Sequence, residues 1–165
     1  MTIFKIVLLL IVNATLYQPP LSAQGFINPG VKLGYTFGSQ GGFTYGFEIS
    51  YTTALERRTL GGVVVDVDFS PGLIILHIGM EATEIGPEAN AIPWPGFCLG
   101  PSIVWQNNHQ SEIAISATLY AGLLAYPYVE YTFRPFSSDL FQAGTYLKIP
   151  ISTYNGTTIW DWRFD

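Results

Sequence analysis

Hydrophobic and polar residues alternate along two neighbouring stretches of the chain, residues 31–37 and 43–51. The residues between the apolar ones are polar or glycine, and the glycine-rich segment 38–42 separates the two stretches. A period of two over runs joined in this way predicts a β-hairpin with one apolar and one polar face. We predict that the apolar face contacts lipid; it comprises Val31, Leu33, Tyr35, Phe37, Phe43, Tyr45, Phe47, Ile49 and Tyr51.

The same period recurs along the rest of the chain and predicts an all-β protein. Further candidate strands span residues 62–69, 73–82, 97–106, 113–120, 128–134, 145–152 and 157–164, with loops at 25–30, 52–62, 82–96 and 135–144. These make nine strands with the hairpin, whereas single-chain bacterial membrane barrels have an even number. One assignment is therefore expected to be wrong, at 145–152, at 157–164 or in the irregular segment 121–127.

The composition narrows the class of protein. Only 12% of the 165 residues are charged, against about a quarter in typical soluble domains, while 15% are aromatic. The formal net charge of -5, with seven Lys and Arg, argues against nucleic acid as a partner, because that partner needs a basic surface. The single cysteine, Cys98, excludes an intramolecular disulfide and a multi-thiolate metal site, and we expect its side chain to be buried.

The N-terminus carries the features of a secretory signal peptide. Lys5 precedes a short apolar run at residues 6–12, and Ala23 offers a small residue for cleavage, which predicts a signal peptide at 1–23 and one β-barrel domain at 24–165. Residues 24–165 contain no apolar run of the roughly 18 residues that a transmembrane helix needs. Membrane insertion of this part would therefore require a closed barrel.

Polar residues at the alternate positions are expected to fill the interior of that barrel. Asp66 and Asp68 lie on one strand face and cannot both point into hydrocarbon. Because the set contains both signs, and an eight-stranded barrel is narrow, we predict a hydrogen-bonded plug rather than a catalytic or transport site. The predicted lumen network is Lys32, Glu48, Asp66, Asp68, His77, Glu81, Glu130, Arg134, Lys148, Asp161 and Arg163. The four tryptophans and ten tyrosines are expected in aromatic girdles at the membrane interfaces.

Residues 30–38 and 42–51, and the aromatic residues Trp160, Trp162 and Phe164 near the C-terminus, resemble small bacterial outer-membrane β-barrel proteins. The similarity is to the eight-stranded OmpX-like type and to the outer membrane protein beta-barrel domain of Bacteroidetes-like bacteria. It implies an up-and-down antiparallel transmembrane β-barrel of eight strands in the cell outer membrane. It also implies a monomer without cofactor, contact with membrane lipid, and recognition of the C-terminal strand by the assembly machinery. The family's terminal aromatic residue is followed here by Asp165.

The resemblance implies a structural, adhesive or surface role, and two alternatives remain open. A secreted lipocalin-like barrel binding a hydrophobic ligand would place Leu33, Tyr35, Phe47 and Ile49 around an internal cavity.

A lipid-modifying outer-membrane enzyme would need a nucleophile, a base and an orienting acid. His77 could serve with Ser102 or Ser116 and with Glu81 or Asp66. No Gly-x-Ser-x-Gly motif marks either serine, so we predict that the protein is not an enzyme.

Overall fold

The structure, a computed structural model, describes residues 25–38, 41–56, 59–84, 94–107, 111–122, 125–149 and 151–152. The predicted signal peptide lies outside these residues. Within them, no helix is long and apolar enough to cross a membrane.

The described chain forms one antiparallel sheet that closes on itself. The first eight strands form a ring: neighbours along the chain are paired from the first strand to the eighth, and the first is also paired with the eighth. The strands are β1 (Gly25–Phe37), β2 (Gly42–Glu56), β3 (Thr59–Ser70), β4 (Leu73–Glu84), β5 (Trp94–Gln106), β6 (Glu112–Gly122), β7 (Ala125–Phe133), β8 (Leu140–Lys148) and β9 (Ile151–Ser152). The predicted up-and-down barrel is confirmed.

The short strand β9 continues β8 along the same edge of β1. Gly30 pairs with Lys148 and Ile27 pairs with Ile151, so the register is unchanged across the interruption. The interruption lies opposite Pro29, whose carbonyl accepts a hydrogen bond of 3.1 Å from the Ile149 amide. Proline has no N–H to continue the ladder.

The barrel therefore has eight strands, and the last is in two pieces. Residues 145–152 belong to this last strand. The segment 121–127 adds no strand of its own, because residues 121–122 end β6 and residues 125–127 begin β7. The ninth candidate strand, 157–164, lies outside the described residues.

The strands are staggered around the barrel. Starting at Ile27, the paired residues lead once around the barrel to Phe37, ten residues further along β1. The residues on this path are Tyr51, Val63, Met80, Leu99, Ala117, Tyr131 and Phe141. A stagger of this kind tilts the strands by about 35–45° and gives an eight-stranded barrel an interior that side chains fill.

All four predicted loops were wrong wholly or in part. Residues 25–30 and most of 52–62 are paired strand, and β8 begins at Leu140 inside the predicted loop 135–144. The loop predicted at 82–96 is shorter, because β4 runs to Glu84 and β5 starts at Trp94. Glycine and charge suggested loops in these segments, but neighbouring strands pair with their backbone.

Candidate functional site

The two faces of the barrel wall have opposite chemistry. All nine residues of the predicted lipid-facing set lie on the outer face, with 37% to 61% of each side chain exposed. Their sequence neighbours Lys32, Thr36 and Thr44 are fully buried inside. The alternation therefore places apolar residues outside and polar residues inside.

The first of two charged groups in the lumen is the Lys32 cluster, which consists of Lys32, Asp66, Asp68, Glu130 and His77. The Lys32 Nζ donates to Asp68 Oδ2 at 2.6 Å and to Glu130 Oε2 at 2.7 Å, and it lies 3.8 Å from Asp66 Oδ1. The His77 Nδ1 is 3.2 Å from Asp66 Oδ2. All five side chains are buried, and Lys32 lies within ion-pair distance of all three carboxylates.

The second group, the Lys148 cluster, consists of Lys148, Glu48 and Glu81. The Lys148 Nζ lies 2.5 Å from Glu48 Oε1 and 3.4 Å from Glu81 Oε2. Tyr120 donates to Glu81 Oε2 at 3.0 Å and also bonds Thr83 at 2.6 Å. Both buried carboxylates are thus paired with Lys148, and Glu81 also accepts a hydrogen bond from Tyr120.

Tyrosine rings separate and flank the two lysines. The Tyr146 ring centroid is 5.2 Å from Lys32 Nζ and 5.1 Å from Lys148 Nζ. Tyr128 lies 5.0 Å from Lys32, and Tyr120 lies 4.8 Å from Lys148. The negative face of an aromatic ring attracts a cation at such distances, and the attraction is stronger where water is excluded.

An apolar cluster fills the lumen near the end where β3 turns into β4 and β5 into β6. It comprises Leu73, Ile75, Val104, Ala114 and Leu140, all buried. Three hydroxyls nearby bond one another: Thr36 to Thr44 at 2.6 Å, Thr36 to Ser70 at 2.9 Å, and Thr44 to Ser70 at 2.5 Å. This end of the lumen is therefore occupied by buried apolar side chains and by hydroxyls that bond one another.

The structure brings most of the predicted lumen network together. Lys32, Glu48, Asp66, Asp68, His77, Glu81, Glu130, Arg134 and Lys148 are buried, and Arg134 pairs with Glu112 rather than with either cluster. Asp161 and Arg163 lie outside the described residues. The prediction for the tyrosines was wrong for four of them, because Tyr120, Tyr126, Tyr128 and Tyr146 line the lumen. On their strands, Tyr126 and Tyr128 occupy the same alternate positions as Glu130, and Tyr146 the same as Lys148. This alternation was the feature of the sequence that could have placed these tyrosines in the lumen.

The proposed catalytic residues are only partly assembled. His77 meets Asp66, but the Ser102 hydroxyl donates to Ser116 at 2.6 Å, and Ser116 bonds Thr132 at 2.8 Å. Cys98, which the sequence analysis did not connect with His77, has its Sγ 3.9 Å from His77 Nε2. Cys98 and His77 are both buried.

No group of three or more His, Cys, Asp or Glu suited to a metal ion occurs in the described ranges.

Solved structures similar to this one are β-barrels. Neisserial surface protein A (NspA) superposes with a TM-score of 0.50 at 9% identity, over 75% of this chain and 95% of that one. The chain has the fold of a small outer-membrane β-barrel. The de novo designed barrel TMB2.3 matches with a TM-score of 0.45 at 15% identity, over 78% of this chain and 97% of that one. Ail, the attachment invasion locus protein of Yersinia pestis, matches with a TM-score of 0.43 at 10% identity, over 78% of this chain and 99% of that one.

No family model matches the barrel sequence, and no curated protein matches it significantly. The likeness is therefore one of fold.

Proposed function

We propose that this barrel spans the outer membrane with a sealed lumen and acts through its outer surface and loops. The observation that carries the proposal is the inverted burial of the wall: apolar residues cover the outside while ion pairs fill the inside. A water-soluble barrel needs the reverse arrangement. A membrane barrel needs this one, because its outward band meets hydrocarbon.

The lipocalin-like alternative requires apolar side chains around an internal cavity. Leu33, Tyr35, Phe47 and Ile49 instead point outward, and the interior beside them holds the Lys32 and Lys148 clusters. This arrangement argues against a hydrophobic ligand inside the barrel.

The filled lumen argues against a transport role. Lys32, Lys148 and Tyr146 stack along the interior, and the apolar cluster fills one end. A conducting barrel needs a continuous aqueous path, which larger barrels provide. A structural, adhesive or other surface role therefore fits better than a porin-like one, and the buried His77 and Cys98 fit better as packing than as catalytic groups.

The location is tested by membrane extraction. We expect the full-length chain, expressed in a Gram-negative host, to remain in the outer-membrane fraction after urea and carbonate washes. We also expect unboiled protein to migrate differently from boiled protein on SDS gels. Export would depend on residues 1–23, and assembly on recognition of the C-terminal region. Recovery in the soluble fraction would exclude the membrane assignment.

The rate at which Cys98 is chemically labelled tests whether the lumen is sealed, because Cys98 is the only cysteine and its buried side chain faces the lumen. A water-soluble maleimide should label Cys98 slowly in the folded barrel and rapidly after unfolding in urea. An exposed thiol introduced at Asn107, a loop residue, in a Cys98→Ala background gives the matched fast control. Equal labelling rates for the two folded proteins would contradict a sealed lumen.

Conductance gives the second test. We expect the wild-type barrel to show no steady channels in planar lipid bilayers. Stable ion currents from the wild-type protein would overturn the sealed-lumen proposal, whereas currents that appear only in a Leu73→Ala/Leu140→Ala variant would support the apolar cluster as the barrier.

A further inference from the structure

The connection between β7 and β8 holds its shape through hydrogen bonds at its base. The Asp139 Oδ1 accepts the Arg134 backbone amide at 2.9 Å, and the Tyr131 hydroxyl donates to Asp139 Oδ2. The Arg134 guanidinium donates to the Ser138 carbonyl at 3.2 Å and pairs with Glu112 on β6. These bonds fix both ends of the loop without using residues 135–137.

The tip of this loop presents one aromatic side chain. Phe136 is 88% exposed, more than any other large apolar residue in the described part of the chain. Pro135 precedes it and fixes one backbone dihedral angle. A side chain held on a rigid loop loses little conformational freedom when it binds, so its burial contributes more to affinity.

The surroundings of the loop indicate what Phe136 contacts. Phe133 and Phe141 flank the loop on the outer face of the barrel, and the Phe141 ring lies 5.6 Å from that of Phe37. The apolar outer surface therefore extends to the base of the loop. The tip residues 135–138, Pro-Phe-Ser-Ser, carry no charge, and Arg134 is paired with Glu112. The Asp139 carboxylate stays at the base of the loop, where it accepts hydrogen bonds from Tyr131 and the Arg134 amide, so insertion of the tip alone would carry no charge into lipid.

We propose that the β7–β8 loop is a membrane anchor, and that Phe136 inserts into the interface of the bilayer beside the barrel. Phe136 thus contacts lipid, and not an apolar pocket of a partner protein. This inference depends on the proposed membrane location. It adds a lipid contact outside the barrel wall, at a loop that would otherwise stand in water.

The experiment places an environment-sensitive NBD label at residue 136 in a Cys98→Ala, Phe136→Cys protein reconstituted in phosphatidylcholine vesicles. The matched control carries the label at Asn107→Cys, an exposed polar position on the connection from β5 to β6 at the same end. We expect the label at 136 to emit at shorter wavelength, to be quenched by nitroxide lipids labelled near the headgroup, and to resist iodide. The label at 107 should show the opposite behaviour.

A second measurement uses the natural side chain. In the same vesicles, Phe136→Ser should lower the urea midpoint of unfolding, and Phe136→Leu should retain most of it, because an apolar side chain is what the interface requires. Iodide quenching at 136 equal to that at 107, together with an unchanged midpoint for Phe136→Ser, would overturn the inference and favour a protein partner. Failure of the unlabelled protein to insert at all would overturn the proposed function itself.

Discussion

The Lys32 and Lys148 clusters differ in how many carboxylates each lysine balances and how completely water is excluded. Lys32 is fully buried and lies near three carboxylates, whereas Lys148 is 7% exposed and lies near two. Removing one partner of a buried ion pair is more damaging than replacing the whole pair, because it leaves an uncompensated charge. The two clusters therefore share a chemistry but are expected to differ in their tolerance to change.

The largest expected effect follows from Lys32→Met. This change leaves Asp66, Asp68 and Glu130 buried with His77 as their remaining nearby base, and we expect a loss of about 3–5 kcal/mol in the free energy of unfolding. This loss is measured by urea titration of the protein in vesicles, with the folded fraction at each urea concentration read from the migration of unboiled samples on SDS gels. Adding Asp68→Asn to the same protein should recover part of the loss. A variant as stable as wild type would show that the carboxylates do not need this cation.

Lys148→Met is the matched variant in the second cluster. We expect a smaller loss, about 1–3 kcal/mol, because only Glu48 and Glu81 lose their partner and water reaches this cluster more easily. The same titration compares the two variants directly. If Lys148→Met were the more damaging change, the difference in burial would not explain the energetics.

Two glycines on β1 extend the comparison to backbone packing. A Cβ at Gly34 would lie 2.6 Å from both the Tyr128 hydroxyl and the Ala143 carbonyl oxygen, whereas one at Gly30 would lie 3.2 Å from the Lys148 Cγ. We expect Gly34→Ala to cost about 1–3 kcal/mol through overpacking. Gly30→Ala should cost less than about 1 kcal/mol: its Cβ would lie 3.3 Å from the Leu147 carbonyl oxygen, a looser backbone contact than at Gly34, the Lys148 side chain can move, and alanine restricts the unfolded chain. Equal midpoints for the two variants in urea would contradict this packing difference.

The sequence predicted the barrel better than it predicted the strand ends or the lumen contacts. The period of two predicted that Lys32, Glu48 and Lys148 face the lumen, because the side of the sheet to which a residue points depends only on its place in the alternation along its own strand. It did not show that Lys148 meets Glu81, or that Tyr146 separates the two lysines, because those contacts depend on the stagger between distant strands. It misjudged Pro29, which suggested a loop but faces outward at an interruption of the ladder.

The smallest expected effect concerns Asp139, which lies outside both clusters at the exposed end of the barrel. Hydrogen bonds from the Tyr131 hydroxyl and the Arg134 amide lower the pKa of this carboxyl below its ordinary value. A group with a lowered pKa in the folded state stabilises the protein above its ordinary pKa of about 3.9, and this contribution is lost as the pH falls through the folded-state value. Asp139→Asn should therefore lower the urea midpoint slightly at pH 7, and the difference from wild type should be smaller at acid pH, as the wild-type carboxyl takes up a proton. A difference of equal size at both pH values would mean that the side-chain shape of Asp139, not its charge, closes the loop.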